Sequence, residues 1–223
     1  VDHVLCSQDV FGSTRVMMDK YIVKFGVEVT YVPLTDLNAW QSAIQSNTKM
    51  LFCETPSNPL SEVADLEALA ALSKQADALL VVDNCFCTPV LQKPLNWGAD
   101  IVVHSATKYI DGQGRCLGGA VVGSAELMEQ VVGFLRAAGP TMSPFNAWVF
   151  LKGLETLRIR MQAHCANAEA LARWLNNHEK VTKVFYAGLE AHPGHALAKK
   201  QQRGFGGVLS FCVEGGREAA WRV

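Results

Sequence analysis

The sequence predicts an α/β protein built on a mostly parallel sheet that is covered on both faces, and three observations carry that prediction. Short apolar, β-branched runs alternate along the chain with segments of helical periodicity, the order that produces a parallel sheet between layers of helices. Within each run the apolar residues are continuous rather than alternating, as they must be in a strand buried on both faces. Each run also stops abruptly in a polar turn, and in such sheets ligands bind beyond the carboxyl ends of the strands.

Taken in order, residues 4–7 form a short strand that gives way to a turn holding Phe11, Gly12, Ser13 and Thr14. Thr14 is the expected cap of a helix reaching Phe25. Residues 27–32 are a strand stopped by Pro33. Asp36 caps a helix to Ile44 with Leu37, Trp40 and Ile44 on one face. Residues 49–55 make the next strand, closed by Pro56-Ser57-Asn58-Pro59. Asp65 caps a helix over 66–76, and residues 79–82 form a buried strand ending at Asp83 and Asn84. The run Ile101–Val103 ends in His104-Ser105-Ala106-Thr107-Lys108, followed by a loop with Gly112, Gly114, Gly118 and Gly119. A strand over 119–122 and a helix over 125–137 complete this part.

The stretch Gly139-Pro140-Thr141-Met142-Ser143-Pro144 breaks the rhythm. Beyond it the sequence predicts helices over 146–155 and 156–177. The second carries a buried stripe of Leu157, Met161, Ala168, Leu171 and Leu175. A strand over 181–184, a helix over 196–201 and a strand over 208–213 follow. The expected division is residues 1–145 as part of a large domain and 146–223 as connecting helices plus the first part of a smaller α+β domain. The chain opens at Val1 inside an expected strand and stops at Val223 inside an expected helix, so it reads as an internal piece of a longer protein.

A chain of 223 residues can bury a sizeable core. Its net charge of −1 and lack of a basic cluster point away from nucleic acid. Although 49% of residues are hydrophobic, every apolar run is broken short of membrane-spanning length, and no signal pattern opens the chain. The seven cysteines are odd in number and contain no C-x-x-C. They read as buried thiols in a reducing cytoplasm, with no metal site.

Four strand ends carry residues with a chemical reading beside a plain one. Lys108 is either a surface lysine or an amine held at a cleft, flanked by the hydroxyls of Ser105 and Thr107 and by nearby backbone N–H groups. An amine there suits a Schiff base, and hydroxyls and amides suit a phosphate. Asp83 is either the closure of an Asx turn or a counter-ion for a protonated ring nitrogen, since a carboxylate at a buried strand end needs a cation or good hydrogen bonds. Asn58 is either a turn residue before proline or a donor to a phenolate oxygen. Phe11 is either a core aromatic or a flat platform beneath a planar ligand. Taken together, an amine, a carboxylate, an amide, an aromatic face and two hydroxyls describe pyridoxal 5'-phosphate, a ring that accepts electrons from a substrate carbanion.

The strings ETPSNP (Glu54–Pro59), VVDNCF (Val81–Phe86), HSATKYIDGQGRCLGG (His104–Gly119), GPTMSPFNAW (Gly139–Trp148) and GFGGVLSF (Gly204–Phe211) span almost the whole chain. They resemble the cystathionine γ-synthase family of pyridoxal-phosphate enzymes, which act on cysteine, homocysteine and methionine. The resemblance implies the aspartate-aminotransferase-like fold, type I, with a mostly parallel seven-stranded sheet. It makes Lys108 the Schiff-base lysine and general base, and Asp83 the ring-nitrogen partner. Ser105 and Thr107 become phosphate ligands, Asn58 a contact to the ring oxygen, and Phe11 the stacking residue. Many members carry tyrosine where this chain has Phe11, and that departure, with DGQGRCLGG, is similar to the O-succinylhomoserine sulfhydrylase branch. The implied reaction is γ-replacement on an activated homoserine ester with sulfide or a thiol. Cystathionine γ-synthase, cystathionine or methionine γ-lyase, a non-catalytic ligand-binding protein of the same fold and an inactive fragment are the alternatives. A cytoplasmic homotetramer, a dimer of dimers, is implied as well. So are a glycine-containing phosphate loop upstream of Val1 and a carboxylate-binding arginine downstream of Val223.

Overall fold

A computed structural model describes all of residues 1–223. The chain runs β1 (His3–Ser7), α1 (Gly12–Lys20), β2 (Glu28–Val32), α2 (Leu37–Ala43), β3 (Thr48–Glu54), α3 (Leu66–Gln75), β4 (Leu79–Asp83), α4 (Thr88–Leu91), β5 (Ile101–Ser105), β6 (Gly119–Gly123), α5 (Ala125–Ala138), α6 (Pro144–Asn176), β7 (Val181–Phe185), α7 (His195–Gln201), β8 (Ser210–Val213) and α8 (Gly216–Ala220). A π-type turn, Ala106–Ile110, lies between β5 and β6.

Six strands form the main sheet in the order β2-β1-β3-β4-β5-β6. The strands β1 to β5 are parallel, and β6 returns antiparallel to β5. Where seven strands were expected, this chain supplies six, and the outer side of β6 pairs with nothing in it. A separate two-stranded antiparallel sheet joins β7 to β8.

The continuous apolar runs are explained by burial on both sides. Leu5, Leu51, Cys53, Leu80 and Val82 face one way and pack with Trp40 of α2 and Leu66 and Leu69 of α3. Val4, Cys6, Phe52 and Val81 face the other way and pack with Met18 of α1. Asp36 and Asp65 cap α2 and α3 as expected, accepting the N–H groups of Ala39 and Ala68 at 3.0 Å. His3 adds a buried pin at the amino end, its ring nitrogens 2.8 Å from Thr48 Oγ1 and 3.0 Å from Thr30 Oγ1, which ties β1 to both neighbours.

Three local expectations need correction. The first helix is not capped by Thr14. It begins at Gly12, because the Phe11 carbonyl already accepts the N–H groups of Thr14 and Arg15. It also ends early, at Lys20, and a 3-10 turn closed by Gly26 at φ 85° carries the chain on. Residues 144–176 form one helix, not two. Gly153 does not break it, since a Cβ there would come within 2.0 Å of the Ile110 carbonyl oxygen, so glycine is what lets the helix pass the turn. Leu171, expected in the buried stripe, is 47% exposed, and Ala172 occupies the inward position between Ala168 and Leu175.

The first half of α6 packs on the main sheet's accessory elements. Val149 and Phe150 are buried, and Phe150 joins Ala106 and Ile110 beneath the turn after β5. Leu157 and Met161 bury against Cys87 and Leu91. Only the second half, through Ala168 and Ala172, reaches Tyr186 beside the small sheet.

Candidate active site

The carboxyl ends of the parallel strands open on one edge of the sheet, and the residues singled out from the sequence lie along it. The β3–β4 register sets Glu54 opposite Asp83. The β4–β5 register sets Asp83 opposite Val103, just before Ser105 and the turn bearing Lys108. The turn after β1 brings Phe11 to the same edge through a hydrogen bond, its N–H donating to Glu54 Oε2 at 2.7 Å.

Lys108 sits where the π-type turn is broken, with φ −84° and ψ −117°. Its side chain is exposed and enters none of the chain's ion pairs or hydrogen bonds. Thr107 Oγ1 lies 3.3 Å from the Gly118 carbonyl and accepts the Gly118 N–H at 3.1 Å, clasping the turn to the end of the glycine-rich loop. The N–H groups of Ala106 and Thr107, expected to be available to an anion, are both spent on the Gly118 carbonyl. The half-buried Ser105 hydroxyl is thus the freer of the two donors.

Asp83 closes the turn that the plainer of its two readings expects. Its Oδ1 accepts the Cys85 N–H at 3.0 Å, an Asx turn. No lysine, arginine or histidine pairs with the carboxylate. Burial pushes its pKa above the usual carboxylate range, only partly opposed by that N–H. A partly desolvated carboxylate without a cation is placed to receive one. Cys85 lies within electrostatic reach of both Asp83 and Lys108, and its thiol is pushed up to about 12, by burial first and then by the Asp83 charge.

Phe11 is 48% exposed and is not a core aromatic. Asn58 is exposed and its side chain is unbonded within the chain. Arg15 lies 3.6 Å from Asp19 and over the Tyr31 ring, and Arg115 pairs with the buried Asp111 at 2.7 Å.

Glu54 escaped the reading of the sequence, although its signal was there: an acid closing an apolar strand, as Asp83 does. It is only 4% exposed, and burial followed by the neighbouring Asp83 charge raises its pKa to about 7, while the Phe11 N–H pulls it back. Between the ordinary value of 4.5 and about 7, the folded chain holds a proton that the unfolded chain has released, so stability falls as pH rises through that window. The full effect is worth roughly 3 kcal/mol. Glu54→Gln keeps an acceptor for Phe11 and removes the titration. Thermal melts of the cofactor-free chain should therefore decline less steeply from pH 5 to 8 in the variant, which should melt several degrees higher at pH 8. Identical pH profiles would refute the assignment.

These residues fit pyridoxal phosphate on the chemistry of the donors: an unpaired carboxylate for a ring N–H, a free amine for a carbonyl, hydroxyls for a phosphate and an exposed aromatic face for a ring. Two cavities of about 670 Å³ and 590 Å³ are lined by neither Lys108 nor Asp83. The candidate site lies at the carboxyl edge of the sheet, apart from both of these cavities.

A family model described as Cys/Met metabolism PLP-dependent enzyme matches residues 1–223. An O-succinylhomoserine sulfhydrylase of Pseudomonas aeruginosa is 63% identical over 221 residues, 99% of this chain and 55% of that protein. A cystathionine gamma-synthase of Mycobacterium leprae is 46% identical over 220 residues, 98% of this chain and 57% of that protein. Among solved structures, the cystathionine gamma synthase of Xanthomonas oryzae pv. oryzae in complex with aminoacrylate and cysteine superposes with a TM-score of 0.96 at 43% identity, covering 99% of this chain and 57% of that one. The chain spans little more than half the length of the relatives it matches.

Proposed function

We propose, from the premise that this chain belongs to the family of pyridoxal-phosphate-dependent enzymes of cysteine and methionine metabolism, that the full-length protein replaces the γ-substituent of an activated homoserine ester, O-succinylhomoserine, with sulfide. The products are homocysteine and succinate. One observation carries the choice of substrate: identity is 63% to an O-succinylhomoserine sulfhydrylase and 46% to a cystathionine gamma-synthase.

When bound, pyridoxal phosphate supplies an aldehyde that links to amines and a ring that accepts electrons from the substrate's α-carbon. Lys108 holds that aldehyde through its amine. Asp83 accepts the ring N–H and keeps the ring cationic, and its partial desolvation strengthens the pairing. Ser105 and Thr107 donate to the phosphate, Asn58 donates to the ring oxygen, and Phe11 covers one ring face. With its amine free, Lys108 Nζ would be the base that takes the substrate's α-proton. Loss of a β-proton then lets succinate leave from the γ-carbon, sulfide adds there as HS⁻, and one proton returns to the β-carbon and one to the α-carbon, the latter from Lys108. Phe11 can stack on a ring but has no hydroxyl with which to move a proton.

The test is a product assay on the full-length enzyme with O-succinylhomoserine and either sulfide or cysteine. Homocysteine from sulfide should dominate. Cystathionine from cysteine as the main product would make the protein a synthase, and elimination to ammonia without a thiol acceptor would make it a lyase. A second reading rests on the chain's spanning little more than half the length of its relatives: these residues alone bind cofactor weakly and turn over nothing, and activity requires the full-length homotetramer.

A further inference from the structure

The lysine-bearing turn is held from behind by a side chain that has no place in the chemistry above. Arg160, on α6, donates from Nη1 to the Tyr109 carbonyl at 2.7 Å and from Nη2 to the Ile110 carbonyl at 3.4 Å. The same Nη2 donates to the Gly153 carbonyl at 2.7 Å, and Nε donates to Thr156 Oγ1 at 3.1 Å. One guanidinium therefore binds the two carbonyls that follow Lys108 and anchors them to the long helix.

The turn needs such a partner. Lys108 leaves helical geometry at ψ −117°, and the turn closes through Asp111 N–H to the Ala106 carbonyl and Gly112 N–H to the Lys108 carbonyl. The last carbonyls of a helical turn have no partner within it and must find one elsewhere. Two glycines make room for this arrangement. A Cβ at Gly112, whose φ is +75°, would meet Arg160 Nη1 within 2.1 Å, and one at Gly153 would meet the Ile110 oxygen within 2.0 Å. A lysine could not replace the guanidinium, because a single ammonium lacks the planar fork that engages several acceptors in fixed directions.

We propose that Arg160 is a positioning residue for Lys108: it fixes the backbone just after the lysine and so sets where the amine stands at the site edge. The inference rests on Lys108 being the cofactor-linked amine. A displacement of about 1 Å at such a group costs on the order of 10²-fold in rate.

The experiment uses the full-length holoenzyme, with Arg160→Lys and Thr156→Val beside the parent. The latter removes one anchor of Arg160 at an exposed position, where substitution is mild. Three quantities are read: the rate at which borohydride fixes pyridoxyl on Lys108, the pH midpoint of the bound-cofactor absorbance, and kcat against KM. Failure to fix pyridoxyl on Lys108 in the parent would overturn the functional reading on which the inference stands. Given fixation in the parent, Arg160→Lys should slow it, move the absorbance midpoint and lower kcat by about 10²-fold with KM little changed. Thr156→Val should do the same to a smaller degree, and decides the matter alone if Arg160→Lys does not fold. Parent-like fixation, midpoint and kcat, with only a lower melting temperature, would make Arg160 a packing residue and overturn the proposal.

Discussion

Lys108→Ala is expected to lower γ-replacement by the full-length enzyme by at least about 10³-fold, the joint effect of losing a covalent anchor and a general base. The variant should fold. The side chain is exposed and bonded to nothing else in the chain, so its removal falls among substitutions that move stability by about 0.5 kcal/mol or less. It should also lose the absorbance of the lysine-linked cofactor and yield no pyridoxyl-modified peptide after borohydride reduction, whereas the parent is modified at residue 108. Retained γ-replacement in Lys108→Ala would end the assignment outright, because no other lysine lies on the turn between β5 and β6.

Asp83→Asn should separate folding from cofactor binding by driving them in opposite directions. Asparagine can still accept the Cys85 N–H, so the local turn survives. The folded-state pKa of Asp83 is raised by burial, so its charge opposes folding once pH exceeds its unfolded-state value. Without cofactor, the variant should therefore melt above the parent at pH 8 and show little difference at pH 3. With cofactor the order reverses: removing one member of a desolvated charge pair costs about 2–5 kcal/mol, so cofactor affinity and turnover together should fall by roughly 10²-fold or more. A variant that binds cofactor as tightly as the parent would show that Asp83 closes an Asx turn and does nothing else.

Much of this architecture could be read from the sequence because the relevant forces are local or periodic. Asp36 and Asp65 announce their helices through one capping bond each, and the β3, β4 and β5 runs announce burial on both faces by their unbroken apolar character. What escaped depends on contacts between residues distant in the chain. Thr14 looked like a cap because serine, threonine and glycine cluster there, but α1 already begins at Gly12 on the Phe11 carbonyl, and Phe11 itself is tied to Glu54, 43 positions away. The sequence suggests two helices meeting at residues 155 and 156, but one helix runs through, and Gly153 lets it pass close to Ile110 of another element. Of the site, the residues at strand ends were legible because a polar group stopping an apolar run stands out. Arg160 was not, because an arginine inside a helix gives no sign of which backbone carbonyls it will find.

The 33-residue helix α6 also bears on how the molecule can be divided. The sequence suggests a cut in the Gly139–Pro144 stretch, and a shortened product ending at residue 145 would look like a tidy unit on paper. Such a product would lose Phe150, Leu157 and Met161 and leave Cys87, Leu91, Ala106 and Ile110 facing water. It would keep every residue proposed to touch the cofactor and lose the surface against which the lysine turn is folded. For anyone trimming this protein, an end short of Met161 would strip away the packing beneath the turn that carries Lys108.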